Sequence, residues 1–406
     1  MSHNLEVLIS GAGITGIYAA LHCHKSGISC ELHESRSVTG GILRDWSVND
    51  EWYFRNCQYL TPETDWFQLL PQSQLFKFPH TYGSFTDLWG ETCAYPGFAG
   101  PVYSLKSLLG DLRETMGESL SDRLNTYPDE LAPALIDWVK RFGICPDKIH
   151  FSGAFGFQIS RVFPLHFATD IHSLKSKDTT ADELYGLPRE AFGLAPALAA
   201  LPQVGFTKYF GDIEKTLAEK TIPLKLKSLI RADFLSQSSD SESGKRAAPA
   251  VVWTGNPTPL IRQATNYTLD APSFKMRNVV MRWDNHQFHN PFYIQVFSKC
   301  HPITRIFVYW NKATIECFDD NTKASEVVFC GLEILLPFLG KIETPEEVHE
   351  FSEKRHFLCS IQDYVYLERF VDSNIYSRLI PSPWHFYGRD SKIQKVLNLL
   401  DKFFLK

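Results

Sequence analysis

What this chain lacks narrows its class. Its 41 Lys and Arg residues stand against 46 Asp and Glu residues, a net charge of −5 over 406 residues. No field built to attract nucleic-acid phosphates follows from that balance, although local basic pockets stay open to it. There is no Cys-x-x-Cys pair. Nine cysteines, at 23, 30, 57, 93, 145, 300, 317, 330 and 359, are odd in number and scattered, which speaks for reduced thiols in a cytoplasmic protein rather than a zinc cluster or a redox dithiol. The histidines pair only loosely (His22 with His24, His286 with His289), without an acidic partner at ligand spacing, so no metal is expected. The longest apolar run, VVFCGLEILLPFLG at 327–340, is interrupted by Glu333 and Pro337 and falls short of the ~20 residues that span a membrane. The opening MSHNLEVLIS lacks the basic flank of a secretory signal. No internal repeat is present, and the one biased segment, SQSSDSESGKRAAP at 236–249, reads as a solvated loop.

What is there is core material. Hydrophobic residues make up 44% of the chain and aromatics 14%, a composition that excludes a disordered chain. Since single cores stop growing at about 250–300 residues, two or three domains are expected. Leu5 to Ser10 form a short apolar strand that runs into Gly11-Ala12-Gly13-Ile14-Thr15-Gly16 and then into IYAALHCHKSG, whose apolar residues recur at helical spacing. A second strand, Ile28 to His33, ends at Glu34. The unit is a βαβ with a G-x-G-x-x-G turn. Gly11 permits the bend, Gly13 leaves room for a pyrophosphate, Gly16 lets helix and strand pack closely, and Glu34 is placed to accept from ribose hydroxyls. Ser35, Arg36 and the Gly40-Gly41 pair follow in a second small-residue turn. The alternative reading of the glycines is a purely structural turn, and the alternative cofactor is NAD.

These residues resemble the FAD-binding fold of the amine oxidase and UDP-galactopyranose mutase superfamily, which carries an acidic residue, a basic residue and a Gly-Gly pair at this place. Later stretches resemble the mutases in order: Leu201–Phe210, then Val251-Val252-Trp253-Thr254-Gly255-Asn256-Pro257, then His301-Pro302-Ile303-Thr304-Arg305, and Trp384-His385-Phe386-Tyr387-Gly388-Arg389. The resemblance implies FAD as cofactor, held by Gly11, Gly13, Ile14, Thr15, Gly16, Glu34, Ser35, Arg36, Gly40, Gly41, Thr254, Gly255, Gly388, Arg389 and Asp390. It implies an α/β fold in which a Rossmann-like domain (1–61 plus 201–270 plus 380–406) interleaves with a helical cap (62–200) and a substrate-side β-sheet region (271–379). Arg305 and Arg277 would stabilise a departing diphosphate, unless each is an ordinary ion-pair partner. Asp390 would accept from a ribityl hydroxyl or cap the terminal helix.

The departures are as informative. Arg55 stands where the mutases have glycine beside the flavin, and Cys57 where they have histidine, so Cys57 is either a thiol near the flavin or a small buried residue. The tyrosine-rich tail after Gly-Arg is replaced by Asp390-Ser391-Lys392-Ile393-Gln394-Lys395. The implied activity is therefore a flavoenzyme acting on a nucleotide-linked or related sugar in surface polysaccharide biosynthesis. The alternatives are an amine-oxidase-like oxidoreductase and a catalytically degenerate FAD-binding scaffold.

Overall fold

The computed structural model describes residues 5–55, 58–88, 90, 92–95, 117–127, 129, 131–162, 197–231, 249–285, 288–318, 321–374, 378–385 and 388–404. In chain order the strands are β1 (Val7–Ser10), β2 (Cys30–Glu34), β3 (Asp45–Val48), β4 (Glu51–Phe54), β5 (Leu75–Pro79), β6 (Tyr82–Thr86), β7 (Cys93–Tyr95), β8 (Leu198–Pro202), β9 (Leu224–Leu226), β10 (Ala250–Trp253), β11 (Ser273–Arg282), β12 (Phe292–Phe297), β13 (Ile303–Tyr309), β14 (Lys312–Phe318), β15 (Glu347–Phe357) and β16 (Leu379–Pro381). The α-helices are α1 (Ile14–Lys25), α2 (Leu120–Leu124), α3 (Ala132–Lys140), α4 (Phe206–Glu219), α5 (Pro257–Ala264), α6 (Ala324–Leu339), α7 (Ile361–Asn374) and α8 (Arg389–Phe404).

Short, wholly apolar strands flanked by helices predict a parallel sheet buried on both faces. Val7, Ile9, Leu32, Val251 and Val252 are fully buried, and the sheet they build has the order β16-β10-β1-β2-β9 with every pairing parallel. The central strand β1 thus pairs with β2, close by in sequence, and with β10, which arrives far later. Helix α1 crosses from β1 to β2, and α8 packs on α1. In a parallel sheet the carboxyl ends of the strands share one edge, and three turns emerge there: Gly11 after β1, Thr254 after β10 and the segment leading to α8 after β16.

The second sheet has seven strands in the order β15-β11-β14-β13-β12-β6-β7. Two of its strands, β6 and β7, come from 62–200, the segment expected as a helical cap. Strand β6 adds in parallel to β12 and β7 continues the edge, because Tyr82, Phe85 and Ala94 are apolar residues that the sheet can bury. Strands β5 and β8 form a separate antiparallel pair. Within 62–200 the helical content includes α2 and α3, while residues 105–115, and the loop at 236–248, lie outside the described residues.

Alternation along the large sheet divides its two faces. Val279, Met281, Ile294, Val296, Ile306, Ile315 and Cys317 pack with Val327 and Ile334 of α6. On the opposite face, Tyr293, Phe307 and Tyr309 join the nucleotide-domain core with Phe54 and Phe206. Farther along that same face, Met276, Phe297 and Phe318 join a separate core with Leu120, Leu135 and Trp138 of the helical segment. One face of one sheet therefore carries both remaining parts of the molecule.

Candidate functional site

The nucleotide loop is held by close backbone packing. Gly11 has φ +101°, and a Cβ there would lie 2.9 Å from the Gly255 amide nitrogen and 3.0 Å from Thr254 Oγ1. A Cβ on Gly16 would lie 1.9 Å from the Gly11 carbonyl oxygen, so both positions require glycine. Gly13 differs: a Cβ there would meet only the Gly41 Cα, at 3.7 Å. Gly13 and Gly40 form a β-bridge, and the Gly40 amide donates to the Ala12 carbonyl at 2.9 Å. The two glycine turns thus face each other across a narrow cradle that a side chain would fill.

The donors around this cradle suit a dinucleotide. Helix α1 starts after Gly13 with no side-chain cap and no acidic residue in its first turn, which leaves the amides of Ile14, Thr15 and Gly16 available to a phosphate. Glu34 is 7% exposed; its carboxylate accepts from the Ala12 amide at 2.9 Å, the Arg36 amide at 2.9 Å and Ser35 Oγ at 3.2 Å. Three of the four lone-pair sites are thus taken, and the one left on Oε2 is open to a ribose hydroxyl. Arg44, three residues past Gly41, donates to the Val38 carbonyl at 3.1 Å while its buried Nε has no partner. Burial, and then the charges of Arg36 and Arg55, push its pKa down. That concentration of positive charge, with an orphaned buried donor in it, is what a diphosphate would neutralise. The residues present fit FAD.

The late motifs take different parts. Thr254 and Gly255 brace the loop: Thr254 Oγ1 lies 3.0 Å from the carbonyl oxygens of Ser10 and Gly11, and the Thr254 and Gly255 amides donate to Ser10. At the start of α8, Gly388 occupies the capping position and Lys392 donates to its carbonyl. Asp390 lies inside the first turn and so does not cap the helix; it accepts from Thr61 Oγ1 at 2.7 Å, and Arg389 Nη2 lies 3.2 Å from the same hydroxyl. Arg389 also sits 6.0 Å over the Tyr59 ring.

Tyr59 opens an aromatic cluster that sequence reasoning missed. Its ring lies 4.2 Å from His80, which is 5.5 Å from Tyr293; Tyr82 stacks on Tyr293 at 5.6 Å, and the Arg161 guanidinium lies 3.9 Å over Tyr82. Burial, then Arg161, lowers the His80 pKa to about 3, so His80 is neutral across the physiological range. Three of these residues come from 62–200, and no local spacing marks them because their side chains converge from different elements.

Three expected site residues change meaning. Arg305 is bound bidentately to Glu316 at 2.7, 2.9 and 3.1 Å, with side-chain exposures of 14% and 3%; its fork is committed to a neighbouring strand rather than to a diphosphate. Arg277 projects from β11 toward the α6 face, onto Cys317 Sγ at 3.4 Å and the Thr322 carbonyl, so it does not line a cleft against the nucleotide domain. Arg55 turns onto the β3–β4 hairpin: its guanidinium stacks 3.9 Å over Trp46, which stacks at 4.5 Å on Phe351. Cys57 lies outside the described residues. Beside Arg55, Asp45 accepts from the Thr207 amide at 2.8 Å at the start of α4. Burial raises its pKa to about 6, against the hydrogen bonds from Thr207 and Phe206 and the charge of Arg55. Among the described residues, the donor atoms of His301, Cys330 and Glu333 converge within 4.8 Å, outside this constellation.

Comparison with known proteins agrees with this architecture. Residues 9–72 match the family of NAD(P)-binding Rossmann-like domains. The whole fold is similar to reduced UDP-galactopyranose mutase (TM-score 0.60, 13% identity, covering 98% of this chain and 95% of the other). It is similar to an engineered putrescine oxidase (TM-score 0.58, 14% identity, 99% of each chain) and to the fatty acid isomerase of P. acnes that produces CLA (TM-score 0.56, 13% identity, 100% of each). No curated protein matches the chain in sequence. The fold is that of the FAD-binding amine oxidase type, and no helix among the described residues is long and apolar enough to cross a membrane.

Proposed function

We propose that this chain, built on the fold shared by a mutase, an oxidase and an isomerase, is an FAD-dependent enzyme. The observation that carries the reading is the cradle between Gly13 and Gly41: an uncapped helix end, an acidic residue at the ribose distance along β2, and Arg36 and Arg44 with charge to offset. FAD supplies hydride or covalent chemistry when bound. The chain's own residues hold its phosphates, present the start of α8 with Arg389 and Asp390, and exclude water behind Tyr59, Tyr82 and Tyr293. His80, uncharged and half-buried, can exchange a hydrogen bond with a substrate but offers no cation.

The substrate we propose is a nucleotide-linked or related sugar, whose flat apolar ring faces suit the aromatic walls. A second reading is oxidation of an amine. It is favoured by the commitment of Arg305 to Glu316, which removes the diphosphate grip a mutase would use. The purified protein should be yellow, with FAD released on denaturation; a colourless protein that FAD does not stabilise would refute both readings. Conversion of UDP-galactopyranose only after dithionite reduction, with no net redox change, supports the sugar reading. Anaerobic bleaching of the flavin by putrescine supports the amine reading instead.

A further inference from the structure

Away from the nucleotide cradle, a second group of side chains among the described residues gathers atoms that can hold an ion. One ring nitrogen of His301, Sγ of Cys330 and a carboxylate oxygen of Glu333 all lie within 4.8 Å of one another. His301 belongs to the loop between β12 and β13, whereas Cys330 and Glu333 stand three residues apart on α6 and so share one face of that helix. The helix can come this close to the sheet because residue 331 is glycine: a Cβ there would lie 2.5 Å from Ile315 Cδ1 and 3.7 Å from Ile303 Cδ1. His301, two residues before Ile303, is thereby brought against Cys330. In the sequence 29 positions separate the two, so ligand spacing does not reveal the group.

The histidine loop is braced from several sides. The Cys300 and His301 amides donate to Ser298 Oγ at 3.1 and 2.8 Å, and Ser298 Oγ donates to Asp87 at 2.6 Å. Arg141 donates to the Ser298 and His301 carbonyls and stacks 4.2 Å over Phe318, so the cation nearest the group is turned onto backbone. The imidazole meets the Phe85 ring edge-on at 5.8 Å. Cys330 opens on a surface cavity of about 490 Å³, also lined by Cys300, Glu326 and Arg141. We propose that His301, Cys330 and Glu333 bind a zinc ion that clasps the β12–β13 loop to α6, with a water from the cavity in the fourth position. Imidazole, thiolate and carboxylate together are a donor set for zinc; magnesium and calcium take oxygen ligands instead. One thiolate and one carboxylate balance the two charges of the ion. Tetrahedral bonds of ~2.0–2.3 Å place ligand atoms roughly 3.3–3.8 Å apart. The group must therefore contract by about 1 Å on binding, a movement within reach of Glu333, whose side chain is exposed. Such a site is structural with respect to the flavin chemistry, and it does not depend on the FAD reading.

The test is equilibrium dialysis of the full-length protein, stripped with EDTA, against buffered Zn²⁺, with bound metal read by atomic emission. The wild type should hold one tight Zn²⁺ per chain, and excess Mg²⁺ should not displace it. His301→Ala and Cys330→Ser should each weaken that ion about tenfold or more. Cys145→Ser, at an exposed thiol outside the group, should leave it unchanged. Absence of a stoichiometric ion overturns the proposal, and so does an ion that survives both ligand substitutions, which would then sit on other thiols. The second readout needs no variant. Alkylation of wild-type Cys330 by iodoacetamide, followed by mass spectrometry of its peptide, should slow about tenfold when Zn²⁺ is added, because a metal-bound thiolate is no longer a nucleophile available to the reagent; Cys145 should react at the same rate with and without the ion. A Cys330 rate that Zn²⁺ does not change overturns the assignment even if the substituted proteins fail to fold. Both measurements read metal and thiol alone, so they stand whether or not the protein proves to carry FAD.

Discussion

Gly13 and Gly16 make opposite predictions although they share one loop. Replacing Gly16 with Ala puts a Cβ 1.9 Å from the Gly11 carbonyl oxygen, with Thr254 Oγ1 2.9 Å away on the other side. Backbone has to move, and overpacking of this kind costs about 1–3 kcal/mol. Gly16→Ala should therefore melt several degrees lower even in the absence of cofactor. Gly13 sits at φ −73° and ψ 175°, where alanine is unstrained, and its Cβ would make one ordinary contact at 3.7 Å. Gly13→Ala should melt at or slightly above the wild-type temperature, since alanine narrows the unfolded ensemble by roughly 0.4–1 kcal/mol. The new methyl nevertheless fills the cradle. Losing one charge-assisted bond between an α1 amide and a phosphate oxygen removes about 1.5–3 kcal/mol, which weakens FAD roughly 10- to 150-fold. The assay is a pair of apo melting curves and a fluorescence titration with FAD. If Gly13→Ala binds FAD with wild-type affinity, no phosphate lies against Gly13 and the reasoning about the cradle is wrong.

Other perturbations test other parts. The Asp45 carboxyl, with a folded pKa of about 6, stays protonated in the native state where the unfolded chain has lost its proton; its contribution therefore falls as pH rises from about 4 to 6 and is constant above, by ~3 kcal/mol in total. Subtracting the pH–stability profile of Asp45→Asn from that of wild type should isolate this segment, and a flat difference refutes it. Glu316→Gln leaves the Arg305 guanidinium buried beside a neutral group and should cost about 3–5 kcal/mol in urea unfolding, whereas a Glu316→Leu, Arg305→Met pair should lose much less. Thr254→Val removes the hydroxyl that ties β10 to the nucleotide loop and should cost ~1 kcal/mol of stability together with some FAD affinity. Because His80 titrates near 3, the pH–rate profile between 5 and 9 should have no limb that disappears in His80→Asn.

The division between what could and could not be read from the sequence follows from how each part is built. The nucleotide loop is local: strand, glycines, helix and Glu34 lie within 30 residues, and their roles are fixed by backbone geometry that spacing encodes. Thr254 is recognisable by its motif, and what the motif does not tell is that its hydroxyl braces Gly11, since a strand brought in from elsewhere needs an anchor at its end. Arg305 is picked out by the resemblance of its stretch to the mutases; which partner it takes depends on Glu316 of the next strand, and only the register supplies that. The line of paired polar residues Ser84, Gln295, Arg305, Glu316 and Asn278 across the large sheet is the extreme case. Its five residues are separated by up to 232 positions, from Ser84 to Glu316, and each alone looks like an ordinary polar residue in a strand.

The parallel sheet also constrains how the chain matures. Val7 pairs with Ala250 and Val252 with Ile380, so the strand that opens the chain cannot complete its hydrogen bonding until most of the chain has been made. At about 5–20 residues per second, roughly 240 residues of further synthesis leave one edge of β1 exposed for some 12–50 seconds. An apolar edge open for that long is a template for pairing with other nascent chains. Production of this protein should thus depend on chaperone supply more than on the stability of the finished fold, and raising chaperone levels during expression should raise the soluble yield where stabilising substitutions in α8 do not.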